Sequence, residues 1–234
     1  MNKKHTAKKR FPVVLIVLGV LLLVGAVAIE LSEYPWRSLL DIERKAEKIP
    51  DPPRIELIGE DSGVRIVDGG NLSPEDAYEL LPGSELDDEP PEAYILLGIM
   101  KIPKLEVSQY ILEGTQRQMR YGGGHVIGTA DVGEKGNCAI AAHRTQAFRY
   151  LNLLKEGDTI VIKANGNIYT YLVYGLFDVK PTELWVLEPV EGEDYTLTMI
   201  TCTPYMVSSH RLIVWASLSD INGMTPEEFY AEDK

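Results

Sequence analysis

The stretch "DTIVIKANGNIYTYLVYGLFDVKP", residues 158–181, does most to decide the fold class. It contains two runs rich in β-branched and aromatic residues, separated by Asn165-Gly166. This dipeptide is a preferred centre for a two-residue hairpin turn, because both residue types tolerate positive φ angles. We therefore predict two antiparallel strands joined by a tight turn at this point.

Further β-rich runs surround this hairpin and are separated from it by turn residues. They are YILLGIMKIPKL (94–105), VSQYILEG (107–114), NCAIAAHR (137–144), YTLTMITC (195–202) and RLIVWASL (211–218). A helical insertion is predicted at 145–154, where Phe148, Leu151 and Leu154 share one face. Regularly spaced strands with one or two short helices indicate a mostly β domain, either a barrel or a sandwich, over residues 94–221.

The N-terminus has the composition of a membrane anchor. Residues 1–10 form a basic tail with five cations, and the nineteen residues 11–29 are uncharged. As a helix, that run would span about 28 Å, close to the thickness of a bilayer's hydrocarbon core. The cations place the tail in the cytoplasm and the rest of this single-pass cell-membrane protein outside. A cleaved signal peptide ending near Ala28 is the alternative, and both readings export the domain.

The remaining segments flank the domain. Residues 30–93 are predicted to form a juxtamembrane helix over 30–50 and an acidic linker over 51–93 that could act as a lid. A short helix is predicted within the linker at 74–81. Residues 222–234 form an acidic C-terminal tail. Without residues 1–10 the chain carries 18 − 35 = −17 charges, which disfavours nucleic acid as a partner.

Cys202 and Arg211 are candidates for chemistry. A free thiol has a pKa of about 8.5, and only its thiolate attacks, so a nucleophilic cysteine needs an imidazole or a cation nearby. If 195–202 and 211–218 are adjacent antiparallel strands, Cys202 and Arg211 lie opposite each other, about 5 Å apart. His143, at the end of another predicted strand, could supply the imidazole. The residues alone leave open the alternative of a buried core cysteine and a surface arginine.

Three separated motifs carry a resemblance to a known family. "TMITC" followed by "TPY" and "HRLIV" resembles the active-site strand of sortases, the membrane-anchored cysteine transpeptidases, whose signature is Thr-Leu-x-Thr-Cys with an arginine on the next strand. "GGGHVIGTADVGEKGNCAIAAHRT" (122–145) resembles the segment that leads to their catalytic histidine. "LLGIMKIPKL" (96–105) is similar to their first barrel strand, and the motifs occur in the family's order.

The resemblance implies a closed eight-stranded β-barrel, tethered outside the membrane by the N-terminal helix. It implies that Cys202 is the nucleophile, that His143 is the acid/base partner, and that Arg211 orients the substrate and stabilises the oxyanion. Thr201 would line the site as a substrate-binding residue. No cofactor and no metal are implied.

The implied reaction cleaves an LPXTG-like sorting signal between Thr and Gly and passes through a thioacyl-enzyme. The Thr is then joined to an amine, either a pilin lysine or a cell-wall peptide. The closest subclass by motif is class C, the pilin-polymerising sortases, although Met206 and Ser208 replace the Gly and Asn typical there. The rivals are another cell-wall cysteine enzyme, such as an L,D-transpeptidase or a peptidase, and a non-catalytic surface-protein scaffold.

The other histidines and the second cysteine receive different roles. His210 is adjacent to Arg211, and neighbouring residues of a strand point to opposite faces, so His143 is favoured as the partner of Cys202. His125 has a histidine counterpart in many relatives, and the resemblance implies a structural role. Cys138 lies five residues before His143 and faces the other way, which predicts a small core residue rather than a disulfide partner.

Overall fold

The computed structural model describes residues 42, 44–51, 65–68 and 93–232. Residues 44–48 are helical, as predicted for the juxtamembrane segment. The strands and the C-terminal helix are β1 Arg65–Asp68, β2 Ala93–Ile102, β3 Val107–Glu113, β4 Gly122–His125, β5 Gly136–Ala141, β6 Thr159–Ala164, β7 Asn167–Val179, β8 Tyr195–Thr203, β9 His210–Ile221 and α1 Pro226–Glu232. Short 3₁₀ helices cover Pro103–Leu105, Gln118–Arg120, Leu151–Leu153 and Leu184–Leu187.

The strands close into a barrel. Their order in the sheet is β1-β2-β3-β4-β5-β8-β9-β7-β6, and β6 pairs again with β2. The closing pairs run from Ile99↔Lys163 to Lys101↔Val161. β1 lies outside the closed ring and adds to β2 in parallel. The prediction of a closed eight-stranded β-barrel is therefore confirmed, and closure leaves the eight barrel strands without a free sheet edge.

The predicted hairpin is formed by β6 and β7. Ala164 pairs with Asn167, so Asn165 and Gly166 alone make the turn. Their φ angles are 50° and 76°, both in the left-handed region that this dipeptide favours. The local sequence alone was sufficient to specify this connection.

Alternating side chains of the strands fill the barrel. Met100, Ile140, Met199 and Val214, each from a different strand, have no exposed surface. Burying a side chain of this size contributes about 1.5–3 kcal/mol. The outer-facing positions of the same strands are consequently available for a functional site.

The helical insertion predicted at 145–154 takes a tighter form. Residues 145–150 are turns and Leu151–Leu153 is a 3₁₀ helix. Backbone N–H groups bond three residues back, as from Leu151 to Phe148 (3.3 Å) and from Leu154 to Leu151 (3.2 Å). The predicted apolar face is nevertheless correct, because Phe148, Leu151 and Leu154 are all buried.

The acidic C-terminal tail contains a helix that packs on the barrel. In α1, the ring of Tyr230 stacks on Tyr195 of β8, with centroids 5.4 Å apart. Phe229 and Tyr230 both pack against the core cluster. Part of the predicted tail is therefore an element of the domain.

Several N-terminal predictions fall on residues outside the described ranges. These are the membrane span at 11–29, the short helix at 74–81 and nearly all of the possible lid over 51–93. Within the described ranges, no helix has the length and apolar character needed to cross a membrane.

Residues 49–51 are attached to the barrel. Lys101 of β2 is 3% exposed, and its Nζ donates to the carbonyl oxygen of Ile49 (2.8 Å) and to Asp51 (2.6 Å). The hydrogen bond and charge of Lys101 lower the pKa of the Asp51 carboxyl. This lysine therefore holds residues 49–51 against the outside of the barrel.

Candidate active site

Cys202 and Arg211 face each other across two neighbouring strands. β8 and β9 are antiparallel, and their register pairs Cys202 directly with Arg211. Directly opposite residues in such a ladder share a face and have Cβ atoms about 4.5–5.5 Å apart. The facing positions predicted from the sequence are confirmed by this register.

His143 comes to the other side of Cys202 through the parallel pairing of β5 with β8. The register runs from Gly136↔Tyr195 to Ala141↔Ile200. Beyond the last strand residue, the Ala142 N–H donates to the carbonyl of Ile200 (3.1 Å), which extends the ladder by one step. One further residue in the same register places His143 beside Cys202, because neighbouring strands lie about 4.8 Å apart.

All three positions belong to the outer face of the barrel. The side chains that point into the core are Cys138 and Ile140 of β5, Ala142 just beyond it, Leu197 and Met199 of β8, and Leu212 and Val214 of β9. Alternation then turns His143 and Cys202 outward. Cys202 is partly buried and is a free thiol.

Thr201 is not brought together with this set. It is 2% exposed, and its hydroxyl donates to the carbonyl oxygen of Ala142 (2.9 Å). Since Thr201 faces inward, it does not lie on the surface that carries Cys202. Its hydrogen bond instead ties β8 to the backbone immediately before His143, which fits a positioning role better than the expected substrate contact.

The connection between β8 and β9 begins just after Cys202 and ends just before Arg211. Met206 and Ser208 have φ angles of 68° and 59°. These are the two positions where class C sortases typically have Gly and Asn, residue types that accept the left-handed region more readily. Met206 and Ser208 therefore hold backbone angles that are less favourable for them than for Gly and Asn.

The guanidinium of Arg211 is held by the same connection. Its Nη1 donates to the carbonyl oxygens of Ser208 (3.3 Å) and His210 (3.1 Å). His210 itself is exposed, pairs in register with Thr203 rather than with Cys202, and contacts Ser209. The register thus favours His143 over His210 as the imidazole partner.

The connection between β7 and β8 contains the 3₁₀ helix Leu184–Leu187, which lies on the outer face of the barrel and is called the wall below. In its 3₁₀ helix, Val186 is buried, whereas Leu184 and Trp185 are 65% and 50% exposed. The pKa of Glu183 is lowered by the backbone N–H of Lys180, then by the side chain of Trp185, and to a smaller degree by the charges of Lys180 and His210. Val179, at the end of β7, pairs with Arg211, so the segment that leads to the wall starts beside the beginning of β9. Sequence reasoning did not predict the wall.

A second cysteine–histidine pair lies inside the barrel. Cys138 is 1% exposed and His125 is 2% exposed. The two ring nitrogens of His125 face Glu113 Oε2 and the carbonyl oxygen of Ala130, each at 3.0 Å. Burial favours the neutral ring, but the Cys138 thiol and the Glu113 carboxylate beside it raise the pKa of His125 to about 11.

This inner pair is structural. Burial raises the pKa of the Cys138 thiol, so it stays protonated and unreactive at neutral pH. Both cysteines are free, as predicted, and no disulfide joins them. The expected structural role of His125 agrees with its buried ion pair with Glu113.

Glu113, His125 and Asp131 also bring ligand-type atoms within 4.8 Å of one another. A ring nitrogen can ligate a metal only when it carries no proton. Here each ring nitrogen already faces an oxygen acceptor, so this group has the geometry of a buried ion pair rather than of an open metal site.

The fold and site define a class: a closed β-barrel with a cysteine, a histidine and an arginine side by side on its outer face. Comparisons with known proteins agree. The family model for the sortase domain matches residues 100–219, which is 120 of 234 residues and just over half of the chain. The chain therefore belongs to the sortase family.

Individual relatives carry several sortase designations. Sortase SrtE1 of Streptomyces coelicolor is 33% identical over 56% of this chain and 41% of its own length. The solved SrtA sortase of Actinomyces oris is 30% identical with a TM-score of 0.51, covering 57% of this chain and 83% of that one. A sortase C of Clostridium perfringens, solved with the C-terminal cell wall sorting motif, is 27% identical with a TM-score of 0.50, covering 53% and 71%.

The chain spans about half the length of the curated relatives it matches. The similar structures include a sortase C and an SrtA sortase, and the curated relatives include an SrtE1. The chain therefore resembles sortases of several designations.

Proposed function

We propose that this protein is a sortase-type cysteine transpeptidase that acts on an LPXTG-like sorting signal. The proposal is supported by the β8–β9 register, which pairs Cys202 with Arg211, and by the β5–β8 ladder, whose continuation past Ala142 leads to His143 beside Cys202. A nucleophilic thiol requires a proton-transfer partner and stabilisation of developing negative charge, and these residue types supply both. Family membership argues against the L,D-transpeptidase alternative.

In the first half-reaction, the thiolate of Cys202 attacks the carbonyl carbon of the Thr–Gly amide. The oxyanion that forms is stabilised by the guanidinium of Arg211. His143 donates a proton to the departing Gly amine as the C–N bond breaks, which leaves a thioester between Thr and Cys202.

In the second half-reaction, an acceptor amine attacks the thioester carbonyl and gives a proton to His143. A new amide forms and the Cys202 thiolate departs. One amide is broken and one is made, so the exchange conserves the acyl bond and requires no nucleotide and no cofactor.

The surroundings of Cys202 suit an extended, largely apolar peptide. Ala141 and Ile200 occupy outer-facing positions of β5 and β8, and both are partly exposed. Leu184 and Trp185 of the wall are exposed apolar side chains, as are Tyr205, Met206 and Val207 between β8 and β9. Exposed apolar side chains close to such a site supply contacts for an apolar ligand.

We further propose that residues 11–29 anchor the protein in the cell membrane, with the N-terminus in the cytoplasm and the barrel outside. This rests on the uncharged run and on the five cations before it. The partners would be surface proteins that carry the sorting signal, and an acceptor amine from a pilin lysine or a cell-wall peptide.

The proposal is tested with residues 31–234 and a fluorogenic LPXTG-type peptide, with and without a primary amine. We expect cleavage in wild type, ligation of the amine to Thr, and loss of both in Cys202→Ala. If wild type leaves the peptide intact and Cys202 is also inert to a small alkylating reagent, the enzymatic function is wrong.

A further inference from the structure

Asn137, on the outer face of β5, has an unusual set of contacts for a strand side chain. It is 2% exposed. Its Nδ2 donates to the carbonyl oxygens of Val186 (2.8 Å) and Glu188 (2.9 Å), and its Oδ1 accepts from the Thr198 hydroxyl (2.6 Å). One buried amide thereby uses both of its donors and its acceptor.

These contacts connect the barrel to the wall. Val186 and Glu188 belong to the 3₁₀ helix Leu184–Leu187 and its C-cap, whereas Asn137 and Thr198 are strand residues of β5 and β8. The wall is anchored elsewhere by apolar contacts: Trp185 stacks on Phe177 with centroids 5.8 Å apart, and Val186 is buried. The amide of Asn137 fixes its backbone relative to the two strands that carry the site.

The same two strands lead directly to the proposed catalytic pair. Asn137, Ala139, Ala141 and His143 alternate onto one face of β5 and its extension, as Thr198, Ile200 and Cys202 do on β8. The wall and the thiol are therefore held by one rigid part of the sheet. Val186 of the wall lies in one apolar cluster with Ile200, two residues before Cys202, so a shift of the wall changes the surface beside the thiol.

We propose that Asn137 is a positioning residue that, together with Thr198, sets the wall over the groove and so determines how tightly the donor peptide binds. This inference rests on the proposed function. Removing the amide leaves the buried carbonyl oxygen of Val186 and the partly buried one of Glu188 without their donor, and the wall loses its fixed position. Donor binding weakens, and the chemistry at Cys202 continues once the peptide is bound.

The test compares Asn137→Ala, Thr198→Val and Thr198→Ser by steady-state cleavage of the donor peptide. We expect Asn137→Ala to raise KM at least tenfold with kcat within threefold of wild type, and Thr198→Val to raise KM less. Thr198→Ser keeps the hydroxyl and should restore most of the affinity. Ser217→Ala is the matched control, because it removes a hydrogen bond to Glu193 (2.6 Å) at the far end of the same connection.

Amide hydrogen exchange over residues 184–188 provides a readout that needs no turnover. Faster exchange there in Asn137→Ala and in Thr198→Val, with unchanged exchange in β3, supports the positioning role. The positioning role is overturned if exchange over these residues is unchanged, or if kcat falls while KM is unaltered. Absence of turnover in wild type would instead count against the proposed function, and the exchange result would still decide the role of Asn137. If Asn137→Ala does not fold, Thr198→Val decides between the same outcomes.

Discussion

The barrel contains two cysteine–histidine pairs in different environments. Each pair takes one member from β5 or its extension. Cys138 and His125 lie in the interior, where the thiol is protonated and the imidazole is locked into an ion pair with Glu113. Cys202 and His143 lie on the outer face, next to an arginine. The comparison shows that residue types alone do not make a reactive site. Access distinguishes the outer pair, because Cys202 is partly exposed whereas burial raises the pKa of the Cys138 thiol.

The largest expected effect comes from replacing His143 with a residue that cannot transfer a proton. His143→Gln should lower kcat/KM by about 10²–10⁴-fold, the usual contribution of a general acid–base group. Its stability should stay within about 0.5 kcal/mol of wild type, because His143 is partly exposed and outside the core. Peptide cleavage and urea unfolding measure the two quantities.

His125→Leu should show the opposite behaviour. It leaves Glu113 and the Ala130 carbonyl without a donor, so unfolding should become easier by about 1–3 kcal/mol for each buried group left unsatisfied. The folded fraction should keep its turnover. If His125→Leu is stable but inactive, the assignment of the inner pair as structural is wrong.

The buried imidazolium also predicts a pH dependence of stability. The pKa of His125 is raised to about 11 in the folded chain, against about 6.5 when unfolded. The folded state therefore holds this proton more tightly, so its stabilisation is complete below about pH 6.5 and is lost as pH rises towards 11. Glu113, Asp131 and Cys138 also surround the ring and can titrate themselves. Wild type and the His125 variant are therefore compared with each other at each pH.

Urea midpoints at pH 6 and pH 9.5 test this, with the difference between wild type and His125→Leu as the quantity of interest. That difference should shrink at the higher pH, by at most about 1.4 kcal/mol per pH unit. A difference that is constant, or that grows with pH, would contradict the buried imidazolium.

Cys138→Ala should have a small effect. The substitution removes one buried sulfur from a site that other core residues surround, which costs about 1–2 kcal/mol by comparison with other small core truncations. Turnover and the rate of alkylation at Cys202 should both stay within twofold of wild type. A large loss of activity would indicate that the inner thiol takes part in the reaction.

The smallest expected effect concerns the connection beside the outer pair. Met206 has a φ of 68°, a region that costs a non-glycine residue about 1–2 kcal/mol. Met206→Gly removes that cost but adds about 0.5–1 kcal/mol of unfolded-state entropy, so a net stabilisation of about 0.5 kcal/mol is expected. Met206→Ala, measured alongside by thermal unfolding, should show no such gain.

The regions predicted correctly from the sequence are those in which local preference and tertiary structure agree. Asn165 and Gly166 specify their turn without help from the rest of the chain. The positions of Cys202 and Arg211 followed from strand pairing. Applied to Thr201, the same alternation would have placed its side chain in the barrel rather than on the groove.

Other elements depend on contacts that the local sequence does not reveal. β4 contains Gly122, Gly123 and Gly124, a run that indicates a loop. A Cβ at Gly122 or Gly124 would lie 2.3 Å from a backbone oxygen of Tyr110 or Gly114, so glycine is what allows β4 to approach so closely. The wall fixed by Asn137 was missed for the same reason, because it depends on hydrogen bonds between residues about fifty positions apart.

The most direct test of the account is to identify the sulfur that becomes acylated. Residues 31–234 are incubated with an LPXTG-type peptide, quenched in acid, digested and mapped by mass spectrometry. We predict an adduct of the donor fragment ending in Thr on Cys202, present in Cys138→Ala and absent in Cys202→Ala. An adduct on Cys138, or peptide cleavage that persists in Cys202→Ala, would contradict the assignment of the outer pair as the catalytic one.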